Sequence, residues 1–147
     1  MKKRDEYLEL KKRHEKELND FPIAYAFNDK QLKEALEKLG AESMDECVTV
    51  FGHGDFVRRQ DARQLVKMLE RQDKEVKQRL IDDVEFAEAA FLHEMDNHEY
   101  AINWSGDEDV LAAFGIGFNF IRKYGLQMAY DSARNKHMKH AQEWGMI

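Results

Sequence analysis

The stretch that decides the fold is Val84-Glu85-Phe86-Ala87-Glu88-Ala89-Ala90-Phe91-Leu92. Apolar residues cover most sides of a helix drawn through it, and Glu85 and Glu88 interrupt them only along a narrow edge. A helix that is apolar on most sides is typical of a buried position. The stretch therefore predicts a central helix that begins at Asp82 or Asp83 and ends near Asn97.

Helical periodicity extends outward from this stretch to both ends of the chain. Apolar residues recur at three- and four-residue steps in 1–19 and again in 126–147, so we expect a helix in each segment. A further helix is expected to start near Asn28 and to end at Gly40, which suits a left-handed cap. Another helix follows Asp61, whose side chain can cap its first turn.

Short β-branched and aromatic segments predict a small sheet. Residues 23–27, 47–51 and 56–59 have strand composition, and the last two are separated by a glycine-containing turn typical of a hairpin. Residues 99–104 also have strand character. We therefore predict one α+β domain over 1–147, mostly helical, with about five or six helices and a small antiparallel sheet.

Charge is distributed unevenly along the 147 residues, whose net charge is −6. Residues 80–121 carry ten acids and no lysine or arginine, whereas residues 58–79 carry eight bases and four acids. A nucleic-acid binder usually gathers its bases into a dominant basic surface, so nucleic acid is an unfavoured partner. Binding of nucleic acid through 58–79 is kept as a second alternative. A cationic partner, a metal ion or internal pairing suits the pattern better.

Cysteine and hydropathy give the expected compartment. Cys47 is the single cysteine, so an internal disulfide is excluded and a reducing compartment fits. The basic residues near Met1 are followed by no apolar segment of the kind found in secretory signals. No apolar run approaches the length that spans a bilayer, so we expect no membrane contact.

The most acidic segment offers a candidate binding site for a protein partner. Clustered carboxylates and aromatic rings could meet a basic surface on another protein, with an aromatic residue as the anchor. Internal pairing with the bases of 58–79 and 122–140 is an equally open explanation. We name the acidic-aromatic face by its candidate residues, Glu94, Asp96, Glu99, Tyr100, Trp104, Asp107, Glu108 and Asp109.

The same segment contains an alternative metal site. A zinc protease needs two histidines four residues apart on one helix, but His93 and His98 are five apart. Glu94 and His98 do have the four-residue spacing and could face one divalent ion, with Asp96 or Glu99 as a further ligand. A metal-dependent hydrolase would use Glu94, His98 and Glu99, and could add His53 or Asp55. Without this alternative, no cofactor is expected.

Other motifs favour structural roles. Gly52-His53-Gly54-Asp55 could present His53 as a general base, but a tight turn that needs permissive glycines explains it better. Gly115-Ile116-Gly117-Phe118 lacks the third glycine of a dinucleotide fingerprint. His137 and His140 lie on neighbouring positions of the last helix, where a hydrogen-bonded, partly buried histidine is expected.

Three segments carry a resemblance to a known family, and they are 21–31, 52–59 and 94–100. In this order and spacing they resemble a family of small accessory proteins of phages, plasmids and conjugative elements in gut and related anaerobic bacteria. The similarity spans roughly 15–115, and Asn97-His98-Glu99-Tyr100 is its most specific part. This sequence departs from the family pattern at His53, which interrupts a plainer glycine run.

The resemblance implies a mobile-element protein in the cytoplasm of a bacterial host. It implies no activity and supplies no catalytic residues. We therefore expect a non-catalytic interaction module that binds a host or element protein with a basic surface. Such a module could act as a counter-defence inhibitor. The oligomeric state stays open.

Overall fold

The structure is a computed structural model that describes residues 1–52 and 54–147. This described part is mostly helical α+β with one three-stranded antiparallel sheet, which confirms the predicted fold class. Its helices and strands, in chain order, are α1 Lys3–Asp20, β1 Ala24–Tyr25, α2 Asp29–Leu39, β2 Cys47–Val48, β3 Asp55–Arg58, α3 Arg59–Asp82, α4 Val84–Asn97, α5 Gly106–Ala112, α6 Phe118–Lys123 and α7 Gln127–Glu143. Short 3₁₀ turns occupy Met44–Glu46 and Tyr100–Ile102.

The chain divides into two compact units. Unit 1 consists of Met1–Lys12 together with Asp73–Ile147, and unit 2 is Arg13–Gln72. The single domain over 1–147 stays a prediction. No helix in the described ranges is long and apolar enough to cross a bilayer.

The core of unit 1 is built around α4, as its apolar sequence predicts. Phe86, Phe91 and Met95 of this helix are fully buried. The Phe91 ring meets Tyr130 of α7 and Phe114 edge-on, with ring centres 5.3 and 5.4 Å away. Each such side chain contributes about 2–3 kcal/mol through burial of apolar surface. Packing of α4 against α7 therefore provides the frame on which the polar side chains of this unit are placed.

The start of α4 is set by Asp83, as predicted. Its Oδ1 accepts a hydrogen bond from the Phe86 N–H at 3.1 Å, and its Oδ2 lies 2.7 Å from Lys3 Nζ. The Lys3 ammonium and the backbone N–H groups together hold the pKa of the Asp83 carboxyl below its usual range. The cap therefore remains charged at the positive end of the helix dipole.

Unit 2 contains the sheet, whose strand order is β1-β3-β2. Ala24 lies opposite Phe56 in β3, and Val48 of β2 lies opposite Val57. The predicted hairpin is therefore confirmed, although β1 and β2 are only two residues long. Helix α2 has its predicted ends, because Asn28 Oδ1 accepts from the Gln31 N–H at 2.8 Å and Gly40 adopts φ 68°.

Two expectations about local structure are wrong, and one helix was not foreseen. Asp61 does not cap its helix, because α3 already begins at Arg59 and Asp61 lies within its first turn. The strand predicted at 99–104 is instead the 3₁₀ turn Tyr100–Ile102. Glu99 adopts φ 52°, which turns the chain just before it, and the Ala101 N–H donates to the His137 ring rather than to a neighbouring strand. The helix α6 was not foreseen, because its six residues are too few to show a clear period.

Candidate functional site

Asp96 on α4 forms hydrogen bonds with two histidines of α7. Its Oδ1 lies 2.7 Å from His137 Nδ1, and its Oδ2 lies 2.9 Å from His140 Nδ1. His137 is fully buried, and its Nε2 accepts from the Ala101 N–H at 2.9 Å. A backbone N–H can only donate, so the proton of the His137 ring is on Nδ1 and points at Asp96. The predicted hydrogen bonding of His137 is confirmed, and the ring is fully rather than partly buried.

Glu94, another acid of the acidic-aromatic face, lies inside unit 1 with 1% of its surface exposed. Its Oε1 accepts from the Tyr7 hydroxyl at 2.7 Å and from Lys11 Nζ at 2.6 Å. Burial raises the pKa of the Glu94 carboxyl, but the hydrogen bonds from Lys11 and Tyr7 outweigh burial and lower it. Glu94 is therefore an ionised structural carboxylate, and a partner protein cannot reach it in this conformation.

Asp107 is the centre of a third, partly buried polar cluster. Its Oδ1 accepts from the hydroxyls of Tyr100 and Tyr130, at 2.8 and 2.5 Å. The Arg134 Nε in turn donates to the Tyr100 oxygen at 3.0 Å. The Tyr100 ring also lies against Gly106, where an added Cβ would come within 2.8 Å of Tyr100 Cδ2. Tyr100 therefore fixes the start of α5 and presents little of itself to a partner.

Asn103 organises the loop between the 3₁₀ turn and α5. Its Nδ2 donates to the His98 carbonyl and to Asp109 Oδ2, both at 2.9 Å. Its Oδ1 accepts from the Ser105 N–H at 3.0 Å and from the Ser105 hydroxyl at 3.2 Å. Sequence reasoning missed Asn103, although an asparagine two residues before a serine is a known turn signal.

The loop held by Asn103 carries the most exposed large side chain of the acidic-aromatic face. Trp104 has a relative exposure of 105%, and Ile102 beside it has 54%. Glu99 and Glu108 are also exposed. We call these four residues, Glu99, Ile102, Trp104 and Glu108, the Trp104 surface. Sequence reasoning missed Ile102, because the candidate face was chosen from acids and aromatic residues and Ile102 is neither.

The proposed metal ligands are only partly brought together. His98 Nε2 lies 3.3 Å from Glu94 Oε2, so this pair converges, while Glu99 is exposed beyond the end of α4. His53 lies outside the described residues. Asp55 is buried and accepts from the Thr49 hydroxyl and from the Val50 and Phe51 N–H groups. Within 1–52 and 54–147, no group of three or more His, Cys, Asp or Glu side chains could hold a metal ion.

Some of the bases proposed for nucleic-acid binding along 58–79 already pair with residues of their own unit. Arg71 pairs with Glu17 in unit 2, and Lys77 Nζ lies 2.8 Å from Asp73 in unit 1. The Arg59 Nε donates to the Asp45 carbonyl at 2.8 Å. Pairing reduces the charge available to phosphates. Nucleic-acid binding through this helix stays a prediction.

Comparisons with known proteins point to a family without pointing to an activity. A family model with the description "Family of unknown function (DUF7659)" matches residues 6–141. No curated protein and no solved structure matches the chain. The matched span contains α4, the loop with Trp104, and most of α7.

Proposed function

The chain belongs to this family of unknown function, and we propose that it is a non-catalytic protein-binding module that contacts its partner through the Trp104 surface. One observation carries the proposal. A tryptophan is fully exposed at the tip of a loop that Asn103 holds through four hydrogen bonds. Tryptophan is among the residue types most enriched at interface hot spots.

A rigid loop makes an exposed anchor effective. Association costs free energy whenever it orders a flexible segment, and part of that cost is avoided when the segment is already fixed. Asn103 links the loop to the His98 carbonyl on one side and to Asp109 on the other. Trp104 and Ile102 would therefore enter an apolar pocket on the partner with little further ordering of the backbone.

The charge around the anchor selects the partner. Between Leu80 and Ile121 the chain has no lysine or arginine, and Glu99 and Glu108 are exposed on either side of Trp104 in sequence. Carboxylates at the rim of an interface speed the encounter with a basic surface and disfavour acidic partners. We propose a partner with an apolar pocket bordered by lysine or arginine.

The resemblance of three segments to mobile-element accessory proteins suggests the setting. We propose that the chain acts in the cytoplasm of a bacterial host and that the partner is a host protein. Binding would then inhibit a defence function of that host protein. This part of the proposal rests on the resemblance, whereas the binding surface rests on the geometry around Trp104.

A cross-link placed beside the anchor identifies the partner. A photoreactive phenylalanine analogue at Ile102, with Trp104 kept, is expected to capture one major protein in host cells, which mass spectrometry then names. With both proteins purified, Trp104→Ala should weaken binding by about 30-fold or more, the loss typical of a hot spot. Met128→Ala is the matched control, because Met128 is 85% exposed but lies on α7, outside the Trp104 surface. Equal affinity of the Trp104→Ala variant and the unmodified chain would refute the proposal.

A further inference from the structure

A groove in unit 2 lies between strand β1 and helix α2, and its volume is about 400 Å³. Ala24 and Ala35 contribute its apolar floor, and Tyr25 and Phe27 contribute aromatic rings. We propose that this groove binds an extended peptide segment of a partner protein, which pairs with β1 as an added strand. Such strand addition is a common mode of peptide recognition, in which backbone hydrogen bonds supply affinity and neighbouring side chains supply specificity.

The geometry of β1 leaves one residue ready for such pairing. β1 is an edge strand, because the sheet order is β1-β3-β2. The Ala26 N–H donates to the Gly54 carbonyl of the β3 side at 2.9 Å, and Tyr25 lies opposite Asp55. Hydrogen-bonded and non-hydrogen-bonded pairs alternate along an antiparallel ladder. The N–H and C=O of Tyr25 therefore point away from β3, toward the open edge.

Contacts made by α2 show that this open edge faces the groove. The Ile23 carbonyl, two residues before Tyr25, accepts from Lys38 Nζ at 3.0 Å. The Phe27 N–H, two residues after Tyr25, donates to Gln31 Oε1 at 2.8 Å. Side chains of α2 thus satisfy both neighbouring positions on this edge. The donor and acceptor of Tyr25, which lie between them, are the pair that an incoming backbone would meet.

The aromatic rings beside the groove are exposed to solvent. Tyr25 is 54% exposed and Phe27 is 76% exposed. The Phe27 ring lies against Gly54, which has φ 76° and where an added Cβ would come within 2.6 Å of Phe27 Cε1. A glycine is therefore required both for the turn and for the position of the ring. Exposed aromatic rings beside an unpaired strand edge can cover the apolar side chain of a bound peptide.

The charges around the groove indicate which peptide sequence would bind there. Glu34 and Lys38 both line the groove. The Lys38 ammonium keeps its charge but is directed to the Ile23 carbonyl at the strand edge, whereas no described residue pairs with the Glu34 carboxylate. Residues 20–57, which include the groove, carry eight acids and three bases. The complementary ligand is an extended segment with an apolar residue for the aromatic rings and a lysine or arginine for Glu34.

The test uses the full chain and a library of random twelve-residue peptides. Selection on the immobilised chain is expected to enrich peptides that combine a basic residue with an apolar residue. Their affinities are then measured by fluorescence polarisation. Failure of the selection to enrich any peptide would overturn the proposal, and so would enriched peptides that bind the Glu34→Lys variant as tightly as the unmodified chain.

Two further measurements separate strand addition from simple surface binding. Tyr25→Pro removes the outward N–H but leaves the bonds to β3, since proline is tolerated on the open side of an edge strand. It should bind about 10-fold more weakly than Tyr25→Ala, which keeps that N–H, as expected for one lost backbone hydrogen bond. Trp104→Ala should leave peptide affinity unchanged. If Tyr25→Pro and Tyr25→Ala bind alike, the backbone of β1 does not take part.

Methylation of the peptide gives a readout that does not depend on any variant folding. Single N-methyl groups placed along an enriched peptide should weaken binding to the unmodified chain mainly at one position, because the Tyr25 carbonyl is the acceptor left on this edge for a peptide N–H. A flat profile would overturn the proposal. Pairing of β1 with a second copy of the chain, seen as a dimer in sedimentation that the peptide does not dissociate, would also overturn it.

Discussion

The core of unit 1 buries tyrosine rings and pairs their hydroxyls with carboxylates, whereas unit 2 leaves two aromatic rings exposed along a strand edge. Tyr7 and Tyr130 of unit 1 are fully buried, and each donates its hydroxyl to an acid. Tyr25 and Phe27 of unit 2 remain more than half exposed. Among the acids of the expected surface in unit 1, Glu94 is buried, Asp96 and Asp107 are partly buried and paired, and Glu99 and Glu108 are exposed. The partners of a carboxylate therefore decide its role more than the local density of acids does.

Among the acids, the largest change in stability is expected from Glu94→Ala. The change leaves the buried Tyr7 hydroxyl without its acceptor and opens a cavity, so we expect a loss of about 3 kcal/mol in the free energy of unfolding. Glu108→Ala is the matched control from the same acidic segment and should change stability by less than about 0.5 kcal/mol, because Glu108 is exposed. Urea denaturation measures both. Equal losses would show that Glu94 is not an internal carboxylate.

The pH dependence of stability tests the internal role of Glu94 a second time. The folded-state pKa of Glu94 lies below its ordinary value of 4.5, because hydrogen bonds from Lys11 and Tyr7 outweigh burial. The stability it contributes is therefore fully present above that value and is lost as the pH falls through the lower folded-state pKa. We expect the unmodified chain to lose more stability than Glu94→Gln between about pH 5 and about pH 2. Parallel stability curves for the two proteins would contradict this assignment.

A smaller effect is expected from Asp96→Asn. The amide oxygen can still accept from His137 Nδ1, but the amide NH₂ cannot accept from His140, so one charge-assisted hydrogen bond is lost. We expect a decrease of about 1.5 kcal/mol in the free energy of unfolding. The exposed Glu99, changed to Gln, serves as the control. If a thermal-shift measurement shows that Glu99→Gln lowers the melting temperature as much as Asp96→Asn or more, Asp96 does not stabilise the contact between α4 and α7.

The smallest effect on stability should come from the exposed aromatic residues. Trp104→Ala and Phe27→Ala are each expected to change the free energy of unfolding by less than about 0.5 kcal/mol, since little of either side chain is buried. Phe91→Ala, in the core of unit 1, should cost about 3–5 kcal/mol. Calorimetry compares the three. A large loss for Trp104→Ala would mean that this residue supports the fold.

Local signals in the sequence predicted the helices well. The cap residues Asn28, Gly40 and Asp83 act where the pattern indicated, because capping depends on atoms only a few residues away. The apolar sequence of α4 also predicted a central position. The expected strand at 99–104 was wrong because its alternation resembles a strand, while the Ala101 N–H is taken by His137, 36 residues away in sequence.

Long-range pairing is the part of the site that the sequence alone could not reveal. Tyr7 and Glu94 are 87 residues apart, and His137 and Asp96 are 41 apart. Neither spacing corresponds to any local motif, so the internal roles of these acids could be raised only as an open alternative. Trp104 was named as a candidate binding residue and is exposed, whereas the support that its loop receives from Asn103 depends on turn geometry that was not considered.

The separation between Tyr7 and its partners also has a consequence for the order of events during synthesis. Met1–Lys12 is translated before unit 2, yet it belongs to the unit that contains Asp73–Ile147. Phe86, Glu94 and Phe114, which contact Tyr7, are translated only after all of unit 2. Contacts between distant residues form late because closing a long loop costs entropy. Tyr7 and Leu10 at the start of α1 therefore stay without their core partners until residues of 73–147 have been made, and a chaperone that covers exposed apolar side chains would act on them in that interval.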